Sequence, residues 1–206
     1  PNFYKNKKVK IIALAEKRQK VRSLIAKKYK IKKTYSNHIE LINECKNLDA
    51  VVVVVRRDQN YKVVKDCLKK KINVFSEKPM CKTLIQAKNL KKILKKNKKI
   101  YKVGFNKIYD KGILEGKKIF ETTKKTNKFG KFLYFKFYRF CGTGYDKKIK
   151  FINTNEKIVN EKNKGKNFPA FLNKKYHNLY DTYLNLYSHN INLLNYFFPS
   201  KPQIKN

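Results

Sequence analysis

Short apolar stretches alternate with helical patterns over the first half of the chain. The stretches predicted to be strands cover residues 9–15, 31–35, 50–55, 72–75 and 101–105. Between them, apolar side chains recur every three to four residues, the spacing of one face of an amphipathic helix. The alanine and five valines of the third stretch are typical of a central strand covered by helices on both faces. Strands and helices alternating at this pace predict a parallel, doubly wound α/β sheet.

Two of the predicted helices begin at recognisable caps. Ser36 or Asn37 can cap one of them, with Glu40 three residues after the asparagine. Thr83 is followed at the same distance by Gln86. In this kind of pair the first side chain caps the helix and the second reaches back to the preceding backbone, so helices are predicted to start at both places.

The pattern changes in the second half of the chain. A helix is predicted from about Gly112 to Thr123, and a strand of a different sheet from Phe132 to Phe140. Residues 142–182 show little periodicity. Apolar side chains then predict one helix from Leu184 to Phe198, which Pro199 ends.

The chain is strongly basic, with 52 lysines and arginines, 14 acidic residues and a formal net charge of +38. Such a charge is typical of proteins that bind nucleic acids. Only five of the basic residues are arginine, however, and the arginine fork suits base and phosphate recognition best. The lysines are spread over the predicted helices. We therefore expect weak attraction to polyanions and no specific nucleic-acid partner.

Cysteine spacing and hydropathy argue against several other classes. None of the four cysteines is paired at CxxC spacing and no cluster suits zinc, so we predict reduced thiols, no metal site and a cytoplasmic protein. No apolar run is long enough to span a membrane. The chain begins at Pro1 rather than at methionine, and we expect the native N-terminal segment to be absent.

The tripeptide Glu77-Lys78-Pro79 is the sharpest local feature. Proline disfavours the helical region for the residue before it, so Lys78 is predicted to be extended. It follows the carboxyl end of a predicted strand, where open α/β sheets bind ligands. In a chain so rich in lysine, the tripeptide alone favours a surface turn with an incidental lysine.

Four sequence blocks together resemble the Gfo/Idh/MocA oxidoreductases. They are DAVVVVV from residue 49, KKKINVFSEKPMCKTLIQAKNL from residue 69, YKVGFNKIYDKG from residue 101 and SHNINLLNYFF from residue 188. The resemblance implies a Rossmann sheet that lacks its first strand over residues 1–107. It also implies that residues 108–206 begin an α+β substrate domain.

The resemblance implies roles for individual residues near the substrate. Lys78 matches the lysine that orients the substrate near the nicotinamide and assists proton transfer. His189 matches the histidine that acts as acid or base on the substrate hydroxyl. Asn106 and Tyr109 match positions that line the substrate pocket. Without the resemblance, His189 is equally compatible with an exposed or helix-capping histidine.

The same resemblance implies a cofactor site. Glu16, at the end of the family's second strand, matches the residue that binds the ribose hydroxyls and repels a 2′-phosphate. NAD is therefore expected in preference to NADP, although the neighbouring Lys17 and Arg18 soften that preference. The turn Glu77–Pro79, together with Arg56, is predicted to border the cofactor.

The chain departs from the family pattern around the histidine. Asn185, one helical turn before His189, stands where the family usually has aspartate, and Asn192 replaces a second aspartate. An amide cannot accept a proton. Asn185 is still assigned to the catalytic set, but His189 or Lys78 would act without a carboxylate relay.

Two further departures concern anion binding. Arg56 and Arg57 replace the family's usual residues after the third predicted strand. Arg57 is predicted to bind a carboxylate or phosphate of the substrate, and contacts with the cofactor's pyrophosphate or with solvent are the alternatives. No GxGxxG motif occurs in the chain, so we expect the pyrophosphate-binding turn to lie in a segment not present here.

These expectations define a function. The chain resembles an enzyme that transfers hydride between NAD, or NADP, and a secondary alcohol or ketone of a sugar, cyclitol or nucleotide-sugar. We expect a homo-oligomer in the intact form and an inactive fragment on its own. One alternative is a non-catalytic cofactor- or ligand-binding relative, and another is a lysine-rich module that binds polyanions.

Overall fold

The computed structural model describes residues 2–127, 129–136, 138, 152, 154–156 and 167–199. Fifteen elements lie in these ranges. In chain order they are α1 (Asn2–Lys5), β1 (Ala13–Ala15), α2 (Gln19–Tyr29), β2 (Lys33–Tyr35), α3 (His38–Glu44), β3 (Ala50–Val53), α4 (Arg57–Lys69), β4 (Asn73–Ser76), α5 (Leu84–Asn97), β5 (Tyr101–Val103), a 3-10 helix (Asn106–Tyr109), α6 (Lys111–Thr126), a second 3-10 helix (Lys174–Tyr176), α7 (His177–Leu186) and α8 (Ser188–Phe197).

The strands form two parallel sheets. In the first sheet, β1 pairs with β2, and Ala13 lies opposite Lys33. The second sheet has the order β3–β4–β5, with Val51 opposite Val74 and Val74 opposite Tyr101. Over the described ranges, no strand pairing joins β1 to β3. The predicted parallel α/β fold, with a gap where the first Rossmann strand would lie, is confirmed.

Four of the five strands are shorter than the apolar pattern predicted, and β4 has the predicted length. β1 covers only the end of the stretch at residues 9–15, and β3 stops at Val53 instead of residue 55. The prediction that this strand is central and covered on both faces is wrong for the described residues. β3 forms the edge of its sheet and β4 the middle. Val52 is 43% exposed, so one face of β3 is not covered by a helix, and Val54, just after the strand, is 72% exposed.

The main hydrophobic core lies between the second sheet and the helices packed on it. The apolar stripe of α4 is buried there and includes Val64, Cys67 and Leu68, all fully buried. Val74 of β4 and Leu90 of α5 pack against the same cluster. Burying a side chain of this size stabilises the fold by about 1.5–3 kcal/mol. The helical spacing of these positions explains why the first half folds as predicted.

Both predicted helix caps are present. The side chain of Asn37 accepts a hydrogen bond from the backbone N–H of Glu40, and the Glu40 carboxylate accepts one from the N–H of Ser36. At α5, the Gln86 side chain accepts a hydrogen bond from the N–H of Lys82 in the same way. In both cases the returning side chain reaches the residue before the cap, which satisfies one more unpaired donor.

The predicted strand at residues 132–140 is wrong for the described part of that range. Residues 132–136 and 138 are not in a strand, and the others lie outside the described residues. The aromatic side chains instead pack on helices. The ring centroid of Phe132 lies 5.0 Å from that of Phe198, and Phe135 lies 5.5 Å from Phe197. These ring contacts form without a sheet, and Phe132 remains 49% exposed.

The single helix predicted from Leu184 to Phe198 is also wrong, because two helices meet at Tyr187. The first, α7, begins earlier than expected at His177, and the second, α8, begins at Ser188. Tyr187 keeps a helical conformation, with φ −83° and ψ −12°, so the apolar periodicity continues through the break.

Among the described residues, no helix is both long and apolar enough to cross a membrane.

Candidate functional site

The loops that follow β3, β4 and β5 lie side by side at the carboxyl edge of the second sheet. The backbone N–H of Glu77 donates to the carbonyl of Val53 at 2.9 Å, and the N–H of Gly104 donates to the carbonyl of Ser76 at 2.8 Å. A Cβ at Gly104 would lie 3.2 Å from both the Ser76 carbonyl oxygen and the Phe75 ring. Glycine therefore allows the loop after β5 to approach the loop after β4.

A buried amide holds the turn after β4. Asn60, on α4, is 2% exposed, and its Nδ2 lies 2.9 Å from the carbonyl oxygen of Pro79, 3.2 Å from that of Glu77 and 3.3 Å from that of Met80. The Lys78–Pro79 peptide bond is cis. One side chain thus satisfies the backbone of an irregular turn whose carbonyls have few other donors within the described chain.

Two hydroxyl groups, those of Ser76 and Tyr101, stabilise the same turn from the adjoining strands β4 and β5. Ser76 is fully buried, and its Oγ lies 3.0 Å from the Glu77 carbonyl and 2.9 Å from the hydroxyl of Tyr101 on β5. Burial raises the pKa of Tyr101 to about 12. A neutral, hydrogen-bonded network therefore joins β4, β5 and the turn, which favours one fixed backbone geometry.

Lys78 reaches from this turn to α7. Its Nζ donates to the backbone carbonyl of Asn185 at 2.6 Å and to the Asn185 Oδ1 at 2.8 Å. Two residues assigned to catalysis from the sequence are thus in direct contact. Because Oδ1 accepts from Lys78, the other end of the Asn185 amide, Nδ2, is a donor directed elsewhere.

His189 lies next to the loop after β5. The side chain is 7% exposed, so an exposed histidine is excluded. Its ring meets that of Phe105 edge to face, with centroids 6.0 Å apart and an interplanar angle of 82°. From the ends of neighbouring strands, Lys78 after β4 thus contacts α7 and Phe105 after β5 contacts α8.

The 3-10 helix after β5 carries the two predicted pocket residues. Asn106 and Tyr109 are both exposed, and the Lys102 ammonium lies 5.3 Å from the centroid of the Tyr109 ring. This short helix packs against α8. Among the described residues, no hydrogen bond joins Asn106 or Tyr109 to Lys78 or His189.

Glu16 lies at the end of β1 and is engaged by arginine. Its carboxylate accepts hydrogen bonds from the Nε of Arg18 at 2.9 Å and from a terminal nitrogen of Arg18 at 3.1 Å. Arg22 donates to the Glu16 backbone carbonyl at 2.6 Å. The Arg18 guanidinium holds the pKa of Glu16 below its ordinary value. A carboxylate and a guanidinium therefore stand together at the predicted ribose site.

The two arginines before α4 have different surroundings. Arg56 forms an ion pair with Asp58 and holds the pKa of that carboxyl below its ordinary value. Arg57, the first residue of α4, is half-buried and has no ion pair or hydrogen-bond partner for its side chain within the described chain. Of the two, Arg57 has the guanidinium that remains available to an anion.

Two residues near this site belong to no recognisable sequence motif and were not identified from the sequence. Asn60 lies on the apolar stripe of α4, one turn before Val64, and a polar residue on a buried stripe is a usable signal. Lys82 is 3% exposed and lies 2.8 Å from Asp181 of α7, a contact between distant segments that no local pattern indicates.

In the part of the chain that the structure describes, no group of histidine, cysteine and acidic residues could hold a metal ion.

Comparison with known proteins identifies the family. The model of the Gfo/Idh/MocA oxidoreductase family, with an NAD-binding Rossmann fold, matches residues 1–105 of the 206. The chain belongs to this family. No curated protein sequence matches it significantly.

Solved structures agree with the fold. Myo-inositol 2-dehydrogenase from Lactobacillus plantarum has a TM-score of 0.55 and 23% identity over 59% of this chain and 36% of its own length. Scyllo-inositol dehydrogenase from Lactobacillus casei, with bound NAD(H) and scyllo-inositol, has a TM-score of 0.56 and 17% identity over 60% of this chain and 36% of its own. A probable dehydrogenase from Thermotoga maritima is 26% identical, with a TM-score of 0.50, over 58% of this chain and 34% of its own. The chain thus matches about a third of the length of these proteins.

Proposed function

We propose that this chain is part of an enzyme that transfers hydride between NAD and a secondary alcohol or ketone of a sugar, cyclitol or nucleotide-sugar. One observation carries the proposal. Lys78, in the glutamate–lysine–proline turn at the carboxyl edge of a parallel sheet, is hydrogen-bonded to Asn185, one turn before the buried His189. These are the three positions that the family resemblance assigns to the substrate.

Bound nicotinamide supplies the hydride transfer itself. The residues of this chain have to hold the substrate oxygen and move its proton. In the proposal, the Lys78 ammonium binds that oxygen and stabilises negative charge on it. His189 exchanges the proton, because imidazole changes charge near neutral pH. Asn185 orients the Lys78 ammonium and offers its own N–H group to a second hydroxyl of the substrate.

The predicted cofactor site fits an adenine ribose in part. Glu16 stands at the end of β1, as ribose recognition requires, but Arg18 occupies its carboxylate. We therefore propose NAD as the cofactor with weak discrimination against NADP, since the same guanidinium can attract a 2′-phosphate. Arg56 and the turn Glu77–Pro79 are proposed to border the nicotinamide half.

The proposal also divides the chain into two parts. Residues 1–107 would belong to the dinucleotide-binding domain and residues 108–206 to the substrate domain. The substrate site would then lie where Lys78 from the first part meets α7 and α8 from the second. Asn106, Tyr109 and Arg57 would contact outer groups of the substrate, with Arg57 selecting an anionic one.

The test is a substrate panel with the full-length gene product. NAD and NADP are each offered with inositols, sugars, sugar acids and nucleotide-sugars, and the appearance of reduced cofactor is followed by absorbance. The proposal expects turnover with at least one cyclitol or sugar class. Failure to bind NADH, measured by fluorescence quenching, would contradict it.

The second candidate is a non-catalytic relative that binds cofactor or ligand. The observation in its favour is the amide of Asn185 beside Lys78, where a carboxylate would relay a proton. In that case NADH binds, but no member of the panel is turned over and no substrate-dependent exchange of hydride with labelled NADH is seen.

A further inference from the structure

Lys82 is the one buried lysine among the described residues. Its ammonium lies 2.8 Å from Oδ1 of Asp181 and 3.6 Å from the centroid of the Phe168 ring. The hydroxyl of Tyr180 donates to the Lys82 backbone carbonyl at 2.6 Å. Three residues from the second half of the chain thus contact a single residue of the loop between β4 and α5.

Lys82 contacts α7 one turn before the position that Lys78 contacts, because the loop and the helix run in opposite directions. Lys78 and Lys82 are four residues apart in the same loop, and Asp181 and Asn185 are four residues apart on α7. Positions four apart on a helix share one face. The ion-pair partner of Lys82 and the hydrogen-bond acceptor of Lys78 are therefore successive positions on the face of α7 that meets the loop.

We propose that the Lys82–Asp181 ion pair is a positioning device that sets the register of α7 on the loop between β4 and α5, and so holds Asn185 against Lys78. The expected effect of this ion pair on catalysis rests on the proposed function. Its expected effect on the Lys78–Asn185 contact is independent of that function, because the contact exists without any substrate.

The physical reason is the cost of leaving a buried charge without a partner. An ammonium removed from water is stable only when nearby groups replace its hydration, as the Asp181 carboxylate and the face of the Phe168 ring do here. Phe168 is itself stacked on His177, with centroids 3.8 Å apart. A slip of α7 by one turn, about 5.4 Å, would leave one ammonium group without its partner on α7 and place the other opposite the wrong residue.

The chain offers a matched control. Lys118 and Glu115 form an ion pair of the same length, 2.8 Å, with side chains 71% and 66% exposed on α6. Exposed pairs of this kind contribute little to structure. Glu115→Gln therefore removes one ion pair without removing a positioning contact.

The experiment measures how fast Lys78 is methylated by formaldehyde and a mild reductant, in the full-length protein without substrate, with mass spectrometry of the peptides. Asp181→Asn and the double variant Lys82→Met/Asp181→Asn are compared with Glu115→Gln. In both Asp181 variants, Lys78 should react about tenfold faster than in the wild type, a coupling typical of contacting residues. Glu115→Gln should leave the Lys78 rate unchanged. Only the single variant, which leaves a buried ammonium unpaired, should also lower the unfolding temperature strongly.

The outcomes separate the two proposals. The double variant lacks both charges, so it tests the register even if Asp181→Asn fails to fold. A double variant that unfolds at the wild-type temperature and keeps the wild-type Lys78 rate would overturn the inference. For a protein with turnover, Asp181→Asn should lower kcat about tenfold with an unchanged Kd for NADH, and Lys82→Arg should retain most activity. Absence of turnover in the wild type counts against the proposed function alone.

Discussion

Replacing Asn60 with alanine should destabilise the turn that carries Lys78. Asn60 is 2% exposed, and its Nδ2 lies within 3.3 Å of three backbone carbonyls, those of Glu77, Pro79 and Met80. Two N–H groups can serve two of these acceptors at a time. The net value of each hydrogen bond is about 1 kcal/mol, and a buried carbonyl left without a donor costs about 1–3 kcal/mol. The free energy of unfolding should therefore fall by about 2–4 kcal/mol.

Two further variants identify the cause. Asn60→Asp keeps the shape but replaces the donor with an oxygen, so at neutral pH it should destabilise at least as much as alanine. Asn89→Ala is the control, because Asn89 is exposed and, among the described residues, its Nδ2 donates only to the hydroxyl of Tyr61 on the neighbouring helix. It should lower the free energy of unfolding by less than about 1 kcal/mol.

The assay is urea unfolding of the full-length protein, with turnover measured on the same samples. Because the turn positions Lys78, turnover at permissive temperature should fall in Asn60→Ala even while the protein remains folded. A free energy of unfolding for Asn60→Ala within about 0.5 kcal/mol of the wild type would refute the reasoning. So would an Asn60→Asp variant as stable as the wild type at neutral pH.

Three other predictions follow from the same contacts. Asn185→Asp puts a carboxylate beside the Lys78 ammonium, which favours the charged form, so the pH at which activity falls on the alkaline side should rise by about 1–2 units. If that pH does not change, the protonation state of Lys78 does not control the rate. Glu16→Ala should raise NADP affinity relative to NAD, and Arg18→Leu should lower it, each by about tenfold in the ratio of Kd values; changes of the same sign would contradict the ribose assignment. Burial raises the pKa of Tyr101 from 10.0 to about 12, so its neutral form stabilises the fold fully below pH 10, and that contribution is lost as pH rises through about 12. Urea unfolding over this range should show a smaller loss of stability for Tyr101→Phe than for the wild type.

The parts of the fold that follow from local pattern were predicted well. The apolar stripe of α4 and the capping side chains Asn37 and Thr83 act over a few residues, so their spacing along the chain is sufficient information. The gap beside β3 could be expected because the family's phosphate-binding motif is missing from the sequence. β3 ends at Val53 and Val54 is 72% exposed, which the run of valines alone did not indicate.

The parts that failed depend on contacts between distant segments. The aromatic residues from Phe132 onward alternate like a strand, but Phe120 and the end of α8 offer them an apolar surface instead. The break at Tyr187 keeps helical dihedral angles and so leaves the periodicity intact. The Lys82–Asp181 pair joins positions about a hundred residues apart, where neither residue type nor spacing carries a signal.

The contact of Lys78 with Asn185 motivated the proposed function, and one measurement tests it most directly. Lys78→Met is compared with the wild type in the full-length protein, with initial rates on the best substrate of the panel and NADH affinity by fluorescence quenching. The proposed role predicts that kcat/KM falls by at least about 100-fold while the Kd for NADH changes by less than about threefold. A Lys78→Met enzyme whose turnover stays within a few-fold of the wild type would contradict it.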